Sequence, residues 1–366
     1  MQHCLVISRS ARALTASALK ANYVVHAIDA FADEDTCSMA TTMVCNEFNH
    51  DSFEQSILEK NIDAILAQYP IEVCVVGSGT ELNSALLMKH SNQFQLCMNQ
   101  QETIDKVIDP FQLSDLCQAY DLPFPAISNN TCPDKNWLIK KIGSQGGEHV
   151  RWAITGEKPP IGSYLQEYQA GTSCSVVFFS DGERVELVGF NELIQLEYQN
   201  NPFLYAGAVS ITPNKNERRT LRDIIDIIVK QTGLIGLCGM DYTVKDDGSI
   251  IVIEINPRPT ATFELHEGEL SLLQTHIDAF NHPISEYKRC HEYRGYVIIY
   301  AEQKISVSSE IHWPAWVNDR PASGSQISAG QPICSIHAEG NSTAEIKKLL
   351  SHRKQQMEST LIAMRV

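Results

Sequence analysis

The chain has 366 residues, 43% of them hydrophobic and 20% charged, and a formal net charge of −15. That length can bury a sizeable core and divides into two or three domains. The acidity argues against general nucleic-acid binding and against anionic membrane surfaces, both of which reward basic patches. Eleven cysteines, an odd number with no C-x-x-C pair, suit a reducing cytoplasm with mostly buried thiols rather than disulfides or a zinc site.

No apolar run approaches the length of a membrane span, and the opening MQHCLVISRSARA has too short an apolar segment for a signal peptide. It reads instead as a strand over 4–7, followed by a loop and helix and a second strand ending at Asp29. The loop is not G-x-G-x-x-G, so it carries no dinucleotide fingerprint. Ser8, Arg9, Ser10 and Arg12 offer either an anion site at the helix start or a solvated turn. A helix is expected over 53–67. The apolar run IEVCVVG reads as a buried parallel strand, with the GSGTELN loop and Glu81 at the sheet edge that ligands favour.

From residue 101 the pattern turns helical, with Ile104, Val107, Ile108 and Phe111 on one face. Asp109-Pro110 marks a cap and a fresh helix start. WLIKKIGSQGGEHVRW reads as a strand over 137–142, a Gly-rich loop over 143–147 and a strand over 148–152. Glycine amides approach a phosphate closely and a neighbouring lysine adds a point charge; an ordinary flexible hairpin is the alternative. A strand ending at Gln166-Glu167-Tyr168 follows, then strands around 172–179, 183–190 and 202–213. An amphipathic helix over 217–231 buries Leu221, Ile224, Ile225 and Ile228.

GLCGMDYTVKDDGSIIVIEINPRP, residues 236–259, reads as a hairpin turning on Asp247-Gly248. In that register Asp241 lies opposite Glu254 with Cβ atoms about 5 Å apart, and Asn256 shares their face. Ile251, Ile253 and Ile255 take the other face. Facing carboxylates repel unless a cation lies between them, and hard oxygen ligands suit Mg²⁺. A surface hairpin with its acids in water is the alternative. Beyond lie a helix near 271–280, strands near 295–303 and 331–340, and a final helix from 342. The segment 321–336 has the look of a small β-barrel edge, and no Met-Lys pair marks it as a biotin carrier.

Three signals stand in order: Lys140 with its Gly loop, the strand-end Gln166-Glu167, and the D…E-x-N-x-R hairpin. Together they resemble the ATP-grasp superfamily, of the carboxylate–amine ligase type that is related to biotin carboxylase. The resemblance implies an α/β (α+β) ATP-grasp fold. Residues 1–100 would form a parallel pre-ATP-grasp domain and 101–285 the ATP-grasp domain, with a lid at about 130–165 and the catalytic sheet at 166–285. Residues 286–366 would form a small β-rich segment with a final helix. It also implies ATP with Mg²⁺ or Mn²⁺ as cofactors. Lys140, Gly146 and Gly147 would meet the phosphates, Gln166 and Glu167 the adenine and ribose, and Asp241, Glu254 and Asn256 the metal. Arg258 would face the transferring phosphoryl group. Members of the family often carry an Asp-Lys pair where this chain has Asp109-Pro110, and Lys106, one turn earlier, is the candidate substitute.

The reaction so implied activates a carboxylate as an acyl phosphate, which an amine displaces to form an amide. The chain also resembles bacterial ATP-grasp proteins associated with methanopterin- or methanofuran-type cofactors, which makes glutamate the expected acid and cofactor biosynthesis the expected setting. Arg9, Arg12 and Glu81 are candidates for holding substrate. His266 and Glu264 could line the acceptor pocket, although a structural histidine is favoured at 266. The expected partners are small molecules, with neither nucleic acid nor membrane, and a homodimer is the default assembly. The rival functions are a biotin-carboxylase-like bicarbonate-activating enzyme and a non-catalytic ATP sensor.

Overall fold

A computed structural model describes every residue other than 50, 132–135, 199–200, 285–286, 288–291 and 363–366. The expected boundary at 285/286, part of the lid span, and Cys132 and Cys290 therefore lie outside the described residues. The first unit comprises β1 (His3–Ile7), α1 (Arg12–Lys20), β2 (Val24–Asp29), α2 (Glu34–Met39), β3 (Thr42–Cys45), the short hairpin β4 (Phe48–Asn49) and β5 (Ser52–Phe53), α3 (Gln55–Leu66), β6 (Ile71–Val76), α4 (Ser84–Lys89) and β7 (Gln95–Cys97). Its sheet is parallel throughout, in the order β3-β2-β1-β6-β7. The central strands are apolar on both faces, as burial between helices requires: Cys4, Leu5, Val6 and Ile7 are all fully buried.

Two helices, α5 (Gln101–Ile108) and α6 (Pro110–Ala119), lead out of this unit. Asp109 ends the first and caps the second, accepting from Phe111 N at 2.9 Å with Pro110 at the first position, a place where proline's missing N–H is harmless. A small sheet follows, ordered β10-β9-β11-β8, from β8 (Ile127–Ser128), β9 (Trp137–Lys141), β10 (Arg151–Trp152) and β11 (Ser163–Glu167). The strand expected over 148–152 is only two residues long, because the Gly-rich segment stays in turns as far as His149.

The largest sheet is built from β12 (Thr172–Asp181), β13 (Val185–Tyr198), β14 (Asn201–Ile211), β15 (Ile235–Val244) and β16 (Ile250–Asn256), with α7 (Lys215–Thr232) on one face and α8 (Leu272–Ala279) on the other. Alternation along β12 sends Val176 and Phe178 into the core under α7, and Val177 and Phe179 into the core shared with α1 and α8. The second core fuses the first unit to the large sheet. Later strands, β17 (Tyr293–Tyr300), the pair β18 (Ile305–Ser306) and β20 (Gln326–Ile327), β19 (Val317–Asn318) and β21 (Pro332–Gly340), precede α9 (Thr343–Ile362). Strands β17, β21 and β19 continue the large sheet beyond β14 to eight strands, and α9 seals their apolar face. Nine described cysteines are free thiols, seven of them buried. No described helix is long and apolar enough to cross a membrane.

Candidate active site

Asp241 and Glu254 pair directly across β15 and β16, but the turn that brings them there differs from expectation. Lys245 donates its N–H to Ser249 O at 2.9 Å and Gly248 donates to Lys245 O at 2.8 Å. The loop therefore has three residues, closed by Gly248 at φ 82°, a three-residue hairpin with glycine in the left-handed region. The register lags by one residue through Tyr242↔Val252, and a bulge at Ile253 takes up the lag before Asp241↔Glu254. The core face accordingly consists of Ile250, Val252 and Ile255, not Ile251, Ile253 and Ile255. Ile253 turns into the groove beside Glu254.

Burial, then repulsion from Glu254, pushes the Asp241 carboxyl well above its ordinary range, against the opposing pull of Lys140 and Arg258. The Lys140 ammonium stands 3.7 Å from Glu254 and donates to Gln166 Oε1 at 3.3 Å. Its burial would lower its pKa, but Tyr164 and Glu254 together hold it above the usual lysine range. Gln166 is buried, and its Nε2 has no partner among the described residues, a donor left over for a ligand in the groove. Glu167 lines the same groove at the end of β11. Asn256 Oδ1 accepts from Arg258 Nη2 at 3.1 Å. Two facing carboxylates plus an amide oxygen form a hard-oxygen donor set, and burial beside Glu254 disfavours the ionised form of Asp241. These residues fit a divalent ion such as Mg²⁺.

Strand alternation separates the two lysines of β9. Lys140 reaches Glu254 and Gln166, whereas Lys141, at the groove's edge, pairs with Asp51 on the β4–β5 hairpin of the first unit. The loop after β9 is held down at further points. Gly146 O accepts from Tyr205 N, and Gly147 O from Asn201 Nδ2, each at 2.9 Å. Glu148 accepts from Arg9 Nη2 at 2.6 Å, and Gln145 donates to Glu81 Oε2 at 2.7 Å. Glu81 also accepts from Arg258 Nε at 2.5 Å, with both partners buried. Lys106 is elsewhere: its ammonium pairs with Glu102 at 2.8 Å on the surface of α5. Pro110, by contrast, borders a small recess beside Lys140.

The groove, of about 320 Å³, adjoins a larger cavity of about 550 Å³ between the first unit and β14, β17 and β21. Arg12 lies in its wall, donating to both oxygens of Glu264 at 2.7 and 2.9 Å and to Asp319 Oδ1 at 2.7 Å. The start of α1 is not a free anion site, since Ala11 N already faces Asp29 Oδ2 at 3.5 Å. His266 is structural: its ring Nε2 donates to Asn191 Oδ1 at 2.9 Å and packs over Gly189. Sequence reasoning missed the cavity's aromatic wall, Tyr205, Tyr296 and Tyr300, and its acids Asp33 and Asp319. No local pattern marks them, because four separate segments contribute them.

This arrangement of a parallel first unit, a small sheet and a large antiparallel sheet is the ATP-grasp fold, and residues 111–262 match the family described as the ATP-grasp domain. Biotin carboxylase of Campylobacter jejuni, solved as a β-γ-ATP complex, superposes with a TM-score of 0.71 at 14% identity, over 93% of this chain and 88% of that one. An L-amino acid ligase of Bacillus licheniformis superposes at 0.70 with 11% identity, over 97% of both chains. In sequence, an uncharacterised protein of Methanocaldococcus jannaschii is 24% identical over 357 residues, 92% of this chain and 88% of the relative.

Proposed function

We propose that the protein is an ADP-forming carboxylate–amine ligase. The observation that carries the proposal is the convergence of Asp241, Glu254, Lys140 and Arg258 on one groove that opens into a second cavity. A nucleotide-binding protein needs the first space; a ligase needs both. Lys140 and the 143–147 loop would hold the phosphates, with Gln166 and Glu167 at the base. Asp241, Glu254 and Asn256 would hold Mg²⁺, which when bound neutralises phosphate charge. Arg258, clamped by Glu81, would face the group in flight.

A substrate carboxylate oxygen attacks the γ-phosphorus as the bond to the β-bridging oxygen breaks, giving an acyl phosphate and ADP. The neutral amine then attacks the carbonyl carbon. The carbon–oxygen bond to phosphate breaks, and the amine's proton leaves with the phosphate. Neither step requires a protein nucleophile, and the buried cysteines are poor candidates for one, since burial pushes thiols such as Cys117 and Cys174 up to about 12. Glutamate as the acid, and a place in one-carbon cofactor synthesis, are the finer parts of the proposal and rest on resemblance.

The test is Mg²⁺-dependent ADP release across pooled acids and amines, with mass spectrometry for new amides and Glu254→Gln alongside. Release that requires one acid and one amine, and is lost in the variant, supports the ligase. Release stimulated by bicarbonate alone would indicate the carboxylase-like chemistry. Nucleotide binding with no release from any pool would indicate a sensor.

A further inference from the structure

The larger cavity carries an unbalanced set of charges. Both of its cations are already engaged, Arg9 with Glu148, and Arg12 with Glu264 and Asp319 together. Asp33 also lines this space, and no cation lies within 4 Å of it among the described residues. Asp33 is 3% exposed, and it is fixed in place by Thr36, whose backbone N–H and hydroxyl each donate to one carboxylate oxygen at 2.8 Å. Each oxygen keeps a further lone pair for a ligand. An anionic ligand would find no free cation here, and freeing Arg12 would strip two buried carboxylates of their partner.

The same cavity has an aromatic and apolar lining, with Tyr205, Tyr296, Tyr300, Ile298 and the 43%-exposed Phe31. Tyr205 and Tyr296 share one O–H···O bond at 2.6 Å. Two phenols bring two hydrogens and several lone pairs, so this pair retains capacity to donate to or accept from a polar ligand group. Phenol faces also attract an ammonium. The volume suits a small organic molecule rather than an ion.

We propose that this cavity is the acceptor site and that it recognises a protonated amine on a flat or apolar body, against acceptors bearing carboxylate or phosphate; the bound ammonium gives up one proton to solvent before the neutral amine attacks. The proposal rests on the ligase reading, since the cavity joins the groove through residues lining both, among them Arg9, Gly146, Tyr205 and Thr260.

The test is calorimetric titration of the full chain, with Mg²⁺ and a non-hydrolysable ATP analogue present, using phenethylamine, 3-phenylpropionate and phenyl phosphate as probes. Phenethylamine is expected to bind at least tenfold tighter than either anion. Asp33→Asn, which keeps an oxygen acceptor for the α2 cap, is expected to weaken the amine at least fivefold. The proposal is overturned if an anion binds as well as the amine, if no probe binds, or if the folded Asp33→Asn variant holds the amine unchanged. Should that variant not fold, the wild-type ranking of the three probes decides alone. Because no turnover is needed, failure here is distinct from failure of the ligase reading, which would show as no ADP release from any pool.

Discussion

Glu81 accepts the Nε–H of Arg258 at 2.5 Å across 177 positions of sequence, and its other oxygen accepts from Gln145 at 2.7 Å. One carboxylate from the first unit thus ties the loop after β9 to the arginine beyond the hairpin. Glu81→Gln removes the charge while keeping an acceptor, leaving the buried guanidinium uncompensated. Losses of this kind cost about 3–5 kcal/mol, so a clear fall in Tm is expected in thermal melts. In the proposed ligase reaction, kcat should fall more than the KM for ATP rises, because the arginine's aim is lost while Lys140 remains. Gln145→Ala should show the opposite split. Equal changes in both parameters for Glu81→Gln would reject a positioning role.

The Asp241–Glu254 pair predicts a proton linked to metal binding. Asp241 titrates well above the ordinary aspartate value of 3.8 because it is buried and faces Glu254. The folded state therefore binds more protons than the unfolded state above that pH, and stability without metal falls as pH rises through the folded value. Asp29, raised to about 6 by burial, acts in the same direction, so the difference between wild type and Asp241→Asn isolates the pair. Melts over pH 4–8 should decline less steeply in the variant. Below the folded value of Asp241, Mg²⁺ should release a proton from the wild type, seen by calorimetry in buffers of different ionisation enthalpy, and should release less from Asp241→Asn.

Lys140 and Lys141 should separate cleanly. Both lysines border the groove, but only Lys140 reaches Glu254 and Gln166, whereas the ammonium of Lys141 is paired with Asp51. A charged hydrogen bond contributes about 1.5–3 kcal/mol, so Lys140→Met should weaken ATP binding roughly 10- to 100-fold. Lys141→Met should change it only a few-fold, through a looser loop. Nucleotide titrations of the two variants provide the check, and equal losses would contradict the assignment.

Much of this arrangement was legible because local chemistry dictates it. The apolar run of β6, the cap at Asp109-Pro110 and the periodicity of α7 each follow from short-range pattern. The facing of Asp241 and Glu254 was legible despite a wrong turn, since the extra loop residue and the bulge at Ile253 offset each other. Alternation alone could not say which of Lys140 and Lys141 reaches Glu254, because Leu138 and Ile139, on opposite faces of the strand, are both buried. The contacts of Glu81 and of Arg12, whose partner Asp319 is 307 positions away, have no local signature. They exist only once the sheets are packed, and the same is true of the tyrosine wall.

The loop after β9 offers a final test, in which two adjacent glycines differ. Both have positive φ, 68° at Gly146 and 71° at Gly147, so alanine at either costs about 1–2 kcal/mol in backbone strain. Their surroundings are not alike. A Cβ on Gly146 would meet nothing within 4 Å, whereas one on Gly147 would lie 2.0 Å from Phe203 O, a backbone atom of β14 that cannot easily yield. Gly147→Ala should therefore lift the loop off β14, break the Gly147 O contact with Asn201 and expose the 143–149 segment. The expected result is faster cleavage of that segment by protease and at least a tenfold weaker ATP interaction, against a few-fold loss for Gly146→Ala. Matching behaviour of the two variants would mean that the docked position of the loop is not the one in which nucleotide is held.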